Sequence, residues 1–200
     1  MDAAGTVSNP GELREHPAIE TGRCLIRPFL VDDVEAALAY LSDPVVMEHV
    51  EPPFDRDRTE QFVTSAGVEE GLVHVVVEKE SGRVIGHVIW HPWAGRPDVW
   101  ELGWILRRDR WGQGLATELG LALLDQARRM RHVDMVIAEA HPANAASVRT
   151  IEAIGLVRAP ELDPDLPVWK RALQHRATGS PSRAGQSSRP RSLGLNPQTS

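Results

Sequence analysis

A loop with two glycines joins a strand-like stretch to a helix-like stretch and has the composition of an anion site. Glycine lets a ligand approach the backbone closely, and the first amide groups of a helix have no partner inside the helix. These amides and the positive end of the helix dipole together favour phosphate. The glycine loop, Gly112 to Gly114, therefore predicts a phosphate site, or else a plain reversal of the chain. Three preceding arginines would add positive charge or form a solvated basic turn: Arg107, Arg108 and Arg110.

Two common phosphate-binding motifs do not match the glycine loop. A P-loop has Lys-Ser or Lys-Thr after its second glycine, and this sequence has Leu115-Ala116 there. The dinucleotide-binding motif needs a third glycine at the position of Thr117. The glycine loop is therefore neither of these.

The two stretches beside the glycine loop differ in their period. From Val99 to Leu106 the residues alternate between two faces, which predicts a buried strand. From Leu115 onward the apolar residues recur at helical spacing, which predicts a helix of roughly four to five turns. The inward face of this helix is predicted to carry Leu119, Ala122, Leu123, Ala127 and Met130.

Two motifs together resemble the acetyl-CoA signature of the GNAT superfamily of N-acetyltransferases. They are WGQGLATE and, after a helix and a strand, HPANAASVRTIEAIGLV. Their order and distance are more specific than either motif alone. The likeness is greatest to the branch that contains the ribosomal-protein-alanine acetyltransferases. It implies an α/β domain of the GNAT fold, in which a mixed, largely antiparallel sheet is flanked by helices and two central strands splay apart.

The resemblance also implies acetyl-CoA as co-substrate and assigns residues to it. Backbone donors near Ile105 and Leu106 would bind the thioester, and Asn144 would contact the pantetheine arm. Trp111 stands where the family pattern has Gln or Arg, which puts a side-chain contact from this position in doubt but leaves the backbone cradle. The predicted backbone cradle for the pyrophosphate comprises Gly112, Gln113, Gly114, Leu115, Ala116 and Thr117.

Glu101 is the candidate for the base that acetyl transfer to an amine requires. It shares a strand face with Val99, Gly103 and Ile105, so desolvation should raise the pKa of its carboxyl group. In the resembled family a Glu on this strand is often the base, acting directly or through water. The alternative is a half-exposed strand with Glu101 at its solvated edge.

Ser147 is the candidate for the general acid, or for a contact with the cofactor. The tyrosine that often serves as the acid in the superfamily is absent from this helix, since Tyr40 belongs to the first predicted helix. Asn144 could also simply cap the helix by accepting a hydrogen bond from the amide of Ser147. His87 and His91 lie four apart on a strand-like stretch, which does not match a helical metal pair, so they line a pocket or pack, and no metal is expected.

The rest of the chain alternates between strand and helix patterns. Asp32 or Asp33 is predicted to cap a first helix that ends near Pro44, and the pair Asp57 and Glu60 has the spacing of a capping box for a second helix. A further helix runs from Asn144 to Ile154. The other strands are predicted at Cys24–Phe29, Leu72–Lys79, Val84–Trp90, Val133–Ala138, Gly155–Arg158 and Val168–Leu173, and acceptor-facing loops at Glu51–Asp55 and Pro92–Asp98.

The 200 residues suit one domain. We predict a flexible, polar segment over residues 1–17 with no signal peptide, an acetyltransferase domain over 18–174 and a disordered tail rich in Ser, Arg and Pro over 175–200. The tail has four arginines and no acid, so the formal charge of −6 leaves −10 on residues 1–174. An acidic body argues against nonspecific binding of nucleic acid and mildly favours cationic partners such as amines.

No apolar run approaches the length of a membrane span, and the lone Cys24 cannot form an internal disulfide, which fits a cytoplasmic location. Cys24 lies in an apolar strand pattern and is predicted to be buried rather than nucleophilic. The expected function is acetyl transfer from acetyl-CoA to a primary amine, either a small molecule or a protein N-terminus, by a monomer or homodimer. The alternatives are an idle acyl-CoA-binding or interaction module on the same fold, and a generic nucleotide binder that leaves Asn144 and Glu101 unexplained.

Overall fold

The computed structural model of the chain describes residues 18–160, 162 and 167–173. The predicted segments 1–17 and 175–200 lie outside the described residues. Within that part, eight strands form one sheet in the order β1-β2-β3-β4-β5-β6-β8-β7. The strands are β1 (Ile19–Glu20), β2 (Cys24–Pro28), β3 (Val73–Glu78), β4 (Val84–Trp93), β5 (Arg96–Leu106), β6 (Met135–Glu139), β7 (Val157–Arg158) and β8 (Val168–Ala172).

Five α-helices flank the sheet in the described part of the chain. They are α1 (Val34–Leu41), α2 (Pro44–Met47), α3 (Arg56–Phe62), α4 (Leu115–Arg129) and α5 (Ala145–Ala153). A π-helical segment, Val63–Glu69, continues α3, which agrees with the sequence-based expectation of a second helix that reaches about Glu70. The short helix α2 was not predicted from the sequence. None of the helices among the residues described has both the length and the apolar composition to cross a membrane.

The sheet is antiparallel except between β5 and β6, which are parallel. Their pairing runs from Val99 opposite Met135 to Glu101 opposite Ile137. It then ends, although β5 continues to Leu106, so the two strands separate beyond Glu101. This mixed sheet with a splayed central pair confirms the predicted fold.

The two faces of the sheet pack against different helices. Large apolar side chains of β4 and β5, including Trp90, Trp100 and Leu102, are buried with the inward face of α4. The opposite face is covered by a second cluster from α1, α3 and β3. Cys24 is buried in the first cluster, and burial raises the pKa of its thiol, as the apolar pattern around it predicts. The end of β5 and the start of α4 therefore lie together at one edge of the core.

Gly86 on β4 sets how closely β4 and the end of β5 approach. A Cβ at this position would lie 2.2 Å from the carbonyl oxygen of Ile105 and 2.9 Å from the Cα of Leu106. No other residue fits at that distance without moving the backbone of β5. Gly86 therefore positions the strand end that the sequence assigns to the thioester.

The predictions for two helix caps were wrong. Asp55, not Asp57, caps α3, because its Oδ1 accepts a hydrogen bond from the amide of Arg58 at 2.8 Å while Asp57 already lies in the first turn. Asp33 precedes α1, but its side chain does not cap that helix. It accepts instead from the amide of Leu30 at 2.8 Å and from the guanidinium of Arg27 at 2.7 Å.

The predicted loop Pro92–Asp98 contains a tight hairpin turn. Strand β4 continues to Trp93 and β5 begins at Arg96, so only two residues form the turn. These residues, Ala94 and Gly95, have φ of 48° and 73°, the left-handed conformation of the common two-residue hairpin turns. Pro92 is tolerated because only β5 pairs with β4 there, and Pro97 because it lies in the register shift between the Trp93–Arg96 and Pro92–Trp100 pairs.

Candidate active site

A cavity of about 600 Å³ lies between the end of β5, the start of α4 and the first turns of α5. It gathers every residue predicted for the cofactor except Gln113, namely Ile105, Leu106, Trp111, Gly112, Gly114, Leu115, Ala116, Thr117, Asn144 and Ser147. Residues 45, 46 and 48–50, in and after α2, form a further wall that the sequence did not indicate. The two motifs thus meet around one space, although the helix of the second lies some 30 residues after the first.

The backbone of the glycine loop is arranged as an anion site would need. Gly112 and Gly114 have φ of 71° and 74°, a region that residues with a Cβ rarely adopt. The first backbone bond of α4 is donated by Glu118 to the carbonyl of Gly114 at 3.1 Å, so the earlier amides of α4 have no partner in the helix. Within the described part of the chain, the amides of residues 112–114 also make no hydrogen bond. The loop therefore offers a run of unpaired donors beside the cavity.

Arg23, in the turn between β1 and β2, forms hydrogen bonds with the glycine loop and with the first turn of α4. Its Nε donates to Oε2 of Glu118 at 2.7 Å, and its backbone amide donates to Oε1 at 2.8 Å. Its Nη1 donates to the carbonyl oxygen of Gln113 at 2.9 Å. This clamp, formed by Arg23, Gln113 and Glu118, fixes the loop to the N-terminal strands. The clamp was not predicted from the sequence.

Two of the three arginines before the glycine loop, Arg107 and Arg110, do not supply the free positive charge that one interpretation assigned to them, whereas Arg108 is exposed. Arg110 donates from Nε and Nη2 to the two carboxylate oxygens of Glu78, at 2.9 and 3.1 Å. Arg107 makes two hydrogen bonds to Asp109, at 3.0 and 3.2 Å. These hydrogen bonds lower the pKa of Glu78 and of Asp109, and the charges of both arginines are neutralised.

Trp111 is 46% exposed at the rim of the cavity. Its Nε1 donates to the carbonyl oxygen of Leu106 at 2.8 Å, which ties the rim to the end of β5. A second aromatic contact lies on another wall, where the ring of His49, after α2, stacks on His141 before α5 with centroids 5.5 Å apart. The Trp111 bond spans five residues, whereas the stacked histidines join segments that are 92 residues apart.

Glu101 lies on β5 at the point where the strand separates from β6. Its side chain is 17% exposed, and its Oε2 lies 3.6 Å from Nε2 of His91, the residue opposite it on β4. Desolvation raises the pKa of the Glu101 carboxyl group, the charge of His91 opposes the rise, and the charge of Glu139 adds to it. The direction agrees with the sequence-based expectation. Glu101 does not line the cavity, but Ile105, about 13 Å further along the same strand, does.

Asn144 caps α5, since its Oδ1 accepts a hydrogen bond from the amide of Ser147 at 3.1 Å. Both residues also line the cavity, so the capping role leaves room for contact with a ligand. Among the described residues, no group makes a hydrogen bond with the Ser147 hydroxyl. This hydroxyl is therefore available to a bound molecule.

The two histidines of β4 have different environments. His87 is 1% exposed, and its Nδ1 lies 2.9 Å from the hydroxyl of Tyr40. Burial lowers the pKa of His87 to about 3 and raises that of Tyr40, so the neutral imidazole accepts a hydrogen bond from the phenolic hydroxyl. His87 thus packs in the core, whereas His91 faces Glu101. No three metal-ligating side chains come together within the residues that the structure describes.

Replacing His87 with leucine should lower the free energy of unfolding by about 1 to 3 kcal/mol, because the buried Tyr40 hydroxyl loses its acceptor. The double variant Tyr40→Phe/His87→Leu should recover part of this loss. The parent should also lose stability as the pH falls from about 6.5 towards 3, since its unfolded state takes up the proton first. Urea unfolding should show a loss of about 2 kcal/mol more between pH 7 and 5 for the parent than for His87→Leu. Equal losses would contradict a neutral His87.

A family model described as Acetyltransferase (GNAT) domain matches residues 23–157. The uncharacterized N-acetyltransferase YnaD of Bacillus subtilis is 28% identical over 141 residues, which cover 70% of this chain and 82% of that protein.

Solved structures are similar as well. An acetyltransferase (GNAT family) from Bacillus anthracis has a TM-score of 0.68 and is 27% identical, with 78% of this chain and 98% of that chain covered. An aminoglycoside acetyltransferase, AAC(6')-Ib, solved in complex with coenzyme A, has a TM-score of 0.64, with 74% and 94% covered. At 17% identity, the second likeness supports the fold alone.

Proposed function

The chain belongs to the GNAT acetyltransferase family, and from this premise we propose that it transfers an acetyl group from acetyl-CoA to a primary amine. The observation that carries the proposal is the single cavity of about 600 Å³ that both sequence motifs line. It extends from a loop of unpaired amides to the end of β5, where this strand no longer pairs with β6. Such a space suits a long ligand with phosphate at one end and a reactive group at the other.

Acetyl-CoA would extend from the glycine loop towards β5. The amides from Gly112 to Thr117 would bind its pyrophosphate, and Asn144 would contact the pantetheine arm. The positive φ of Gly112 and Gly114 and the open space around both support this cradle, since a Cβ at Gly112 would meet nothing within 4 Å. Backbone groups of Ile105 and Leu106 would then hold the thioester beside the separated strands.

The reaction would be direct attack in a ternary complex. Glu101 would accept a proton from the acceptor ammonium, directly or through a water molecule, and the free amine would attack the thioester carbonyl carbon. Collapse of the tetrahedral intermediate would break the carbon–sulfur bond and release the thiolate of CoA. Ser147 would supply a proton to that thiolate and would regain one from the nitrogen, which must lose its second proton to become the amide. Positioning of the two substrates would provide much of the rate.

Release of free thiol in the presence of acetyl-CoA and a panel of amines tests this function. We expect release that depends on both the protein and an amine, with both small amines and peptides carrying a free N-terminus in the panel. Binding of CoA by calorimetry without turnover of any amine would instead support the idle module. Displacement of CoA by simple nucleotides at equal concentration would favour the nucleotide binder.

The acceptor would approach from the side of the sheet that carries Glu101. The segment Glu51–Asp55 follows α2, whose residues line the cavity, and the β4–β5 hairpin follows His91, so both adjoin this side. A small amine and a protein N-terminus are both compatible with the proposal. The likeness to the ribosomal-protein-alanine branch, the cytoplasmic location and the monomeric or homodimeric state stay predictions from the sequence.

A further inference from the structure

The cavity wall carries few charged side chains, and their pairing decides which of them can meet an anionic ligand. Glu48, Arg110 and Arg149 are the charged residues of this wall. Arg110 is held by both carboxylate oxygens of Glu78. Arg149, on α5, makes no ion pair or hydrogen bond with any residue in the described ranges. Arg149 is therefore the cation of this wall that remains available.

The arginines behind the glycine loop cannot take its place. Arg23 is held by Glu118 at 2.7 Å, and Arg107 by Asp109 at 3.0 Å. Each of these cations has a carboxylate partner, so the loop contributes backbone amides rather than free guanidinium groups. Arg108 is exposed and makes no ion pair among the described residues, but it does not line the cavity. Within the cavity wall, the cation available for a second phosphate is therefore Arg149.

CoA carries two separate phosphate groups, a pyrophosphate and a phosphate on the 3′-oxygen of its ribose. In the proposed function the amides of the glycine loop bind the pyrophosphate. The ribose phosphate is a distinct dianion and needs its own partner. A guanidinium group suits it, since its planar fork can donate two hydrogen bonds to phosphate.

The position of Arg149 fits this second role. The cavity follows α5 from Ala145 to Ala153, a rise of about 12 Å along the helix axis. Arg149 lies about 7.5 Å along this axis from Asn144, the residue proposed at the pantetheine arm. It is exposed, so its side chain can reach a ligand at the open rim.

We propose that Arg149 binds the 3′-phosphate of the ribose and makes the site prefer CoA to 3′-dephospho-CoA. This inference rests on the proposed function, because it takes CoA as the ligand. It adds a specificity residue within the second motif, at a position to which the sequence analysis assigned no role.

Calorimetric titration of the parent protein and of Arg149→Gln with CoA and with 3′-dephospho-CoA tests the proposal. The parent should bind CoA about tenfold more tightly than the dephosphorylated ligand, a typical effect of one charge-assisted pair. Arg149→Gln should bind CoA as weakly as 3′-dephospho-CoA, and its affinity for the latter should equal that of the parent. Arg128→Gln, which removes an exposed arginine of α4 outside the cavity, should behave like the parent.

Two results would overturn the assignment. Arg149→Gln retaining the preference for CoA would show that another group binds the 3′-phosphate, and an equal loss for both ligands would place Arg149 at the pyrophosphate. A parent protein that binds neither ligand would overturn the proposed function itself. The melting temperature of Arg149→Gln should match that of the parent, because the side chain is exposed and unpaired among the described residues.

Discussion

Replacing Glu101 with glutamine is expected to lower the turnover of an alkylamine at pH 7 by about a hundredfold or more, while the affinity for CoA hardly changes. An alkylamine with a pKa near 10.4 is almost wholly protonated at neutral pH, so the enzyme must remove a proton before or during attack. The carboxyl group of Glu101 is desolvated and lies where β5 leaves β6, beside the gap that the thioester would enter. Glutamine keeps its shape and removes its basicity.

The pH dependence separates a base from a packing residue. Because the pKa of Glu101 is raised, the parent should lose activity as the pH falls through that raised pKa and the carboxylate becomes protonated. The pH–rate profile of Glu101→Gln should lack this acidic limb, which is the fall in rate at low pH. The rate of this variant should rise towards that of the parent at high pH, where solution supplies deprotonated amine.

Glu139→Gln is the matched control, because it removes a neighbouring carboxylate from the same site. The charge of Glu139 contributes to the raised pKa of Glu101, so this variant should keep its turnover at pH 7 and move the acidic limb to lower pH. Its amide oxygen can still accept the hydrogen bond that Nε1 of Trp93 donates to Glu139 at 3.3 Å. Equal rates for Glu101→Gln and the parent at pH 7, with chemistry limiting turnover, would remove Glu101 from the mechanism.

Introducing a bulky side chain at Gly114 should weaken CoA binding by tenfold or more, a loss of about 1.4 kcal/mol or above. In Gly114→Val the side chain would occupy the approach to the unpaired amides. Contacts inside the protein cannot explain such a loss, since a Cβ at Gly114 would meet only Nη2 of Arg23, at 3.9 Å. Calorimetry with CoA measures the effect.

Gly82→Val controls for backbone strain. Gly82 has φ of 66°, close to the 74° of Gly114, and nothing lies within 4 Å of a Cβ there. It lies in the β3–β4 hairpin, outside the cavity, so this variant should lose a similar amount of stability, about 1 to 3 kcal/mol, and bind CoA like the parent. Unchanged CoA affinity in folded Gly114→Val would exclude the backbone cradle. Asparagine, which tolerates this conformation better, gives the same test if the valine variant does not fold.

The sequence predicts best what depends on neighbours along the chain. The change from alternating to helical spacing around the glycine loop correctly predicts β5 and α4, and Asn144 caps α5 as its position suggests. The desolvation of Glu101 could also be predicted, because Val99, Gly103 and Ile105, which share its strand face, are not polar.

What the sequence could not predict depends on contacts between distant segments. Arg110 is neutralised by Glu78, 32 residues away, so the turn before the loop carries less free positive charge than its composition suggests. Helix α2 has only four residues, too few for a helical period to be visible, yet it forms a wall of the cavity. The hairpin turn at Ala94 and Gly95 was not predicted, because the flanking Pro92 and Pro97 are typical of a loop.

The clamp formed by Arg23, Gln113 and Glu118 makes the edge of the sheet and the glycine loop a single cooperative unit. Its bonds join residues 90 and 95 positions apart in sequence, so local opening of the turn between β1 and β2 would also release the loop. A ligand held by the loop raises the free energy of that opening, in proportion to the logarithm of its concentration relative to its dissociation constant. Occupancy of the cavity is thereby linked to protection of the N-terminal strand amides against exchange with solvent.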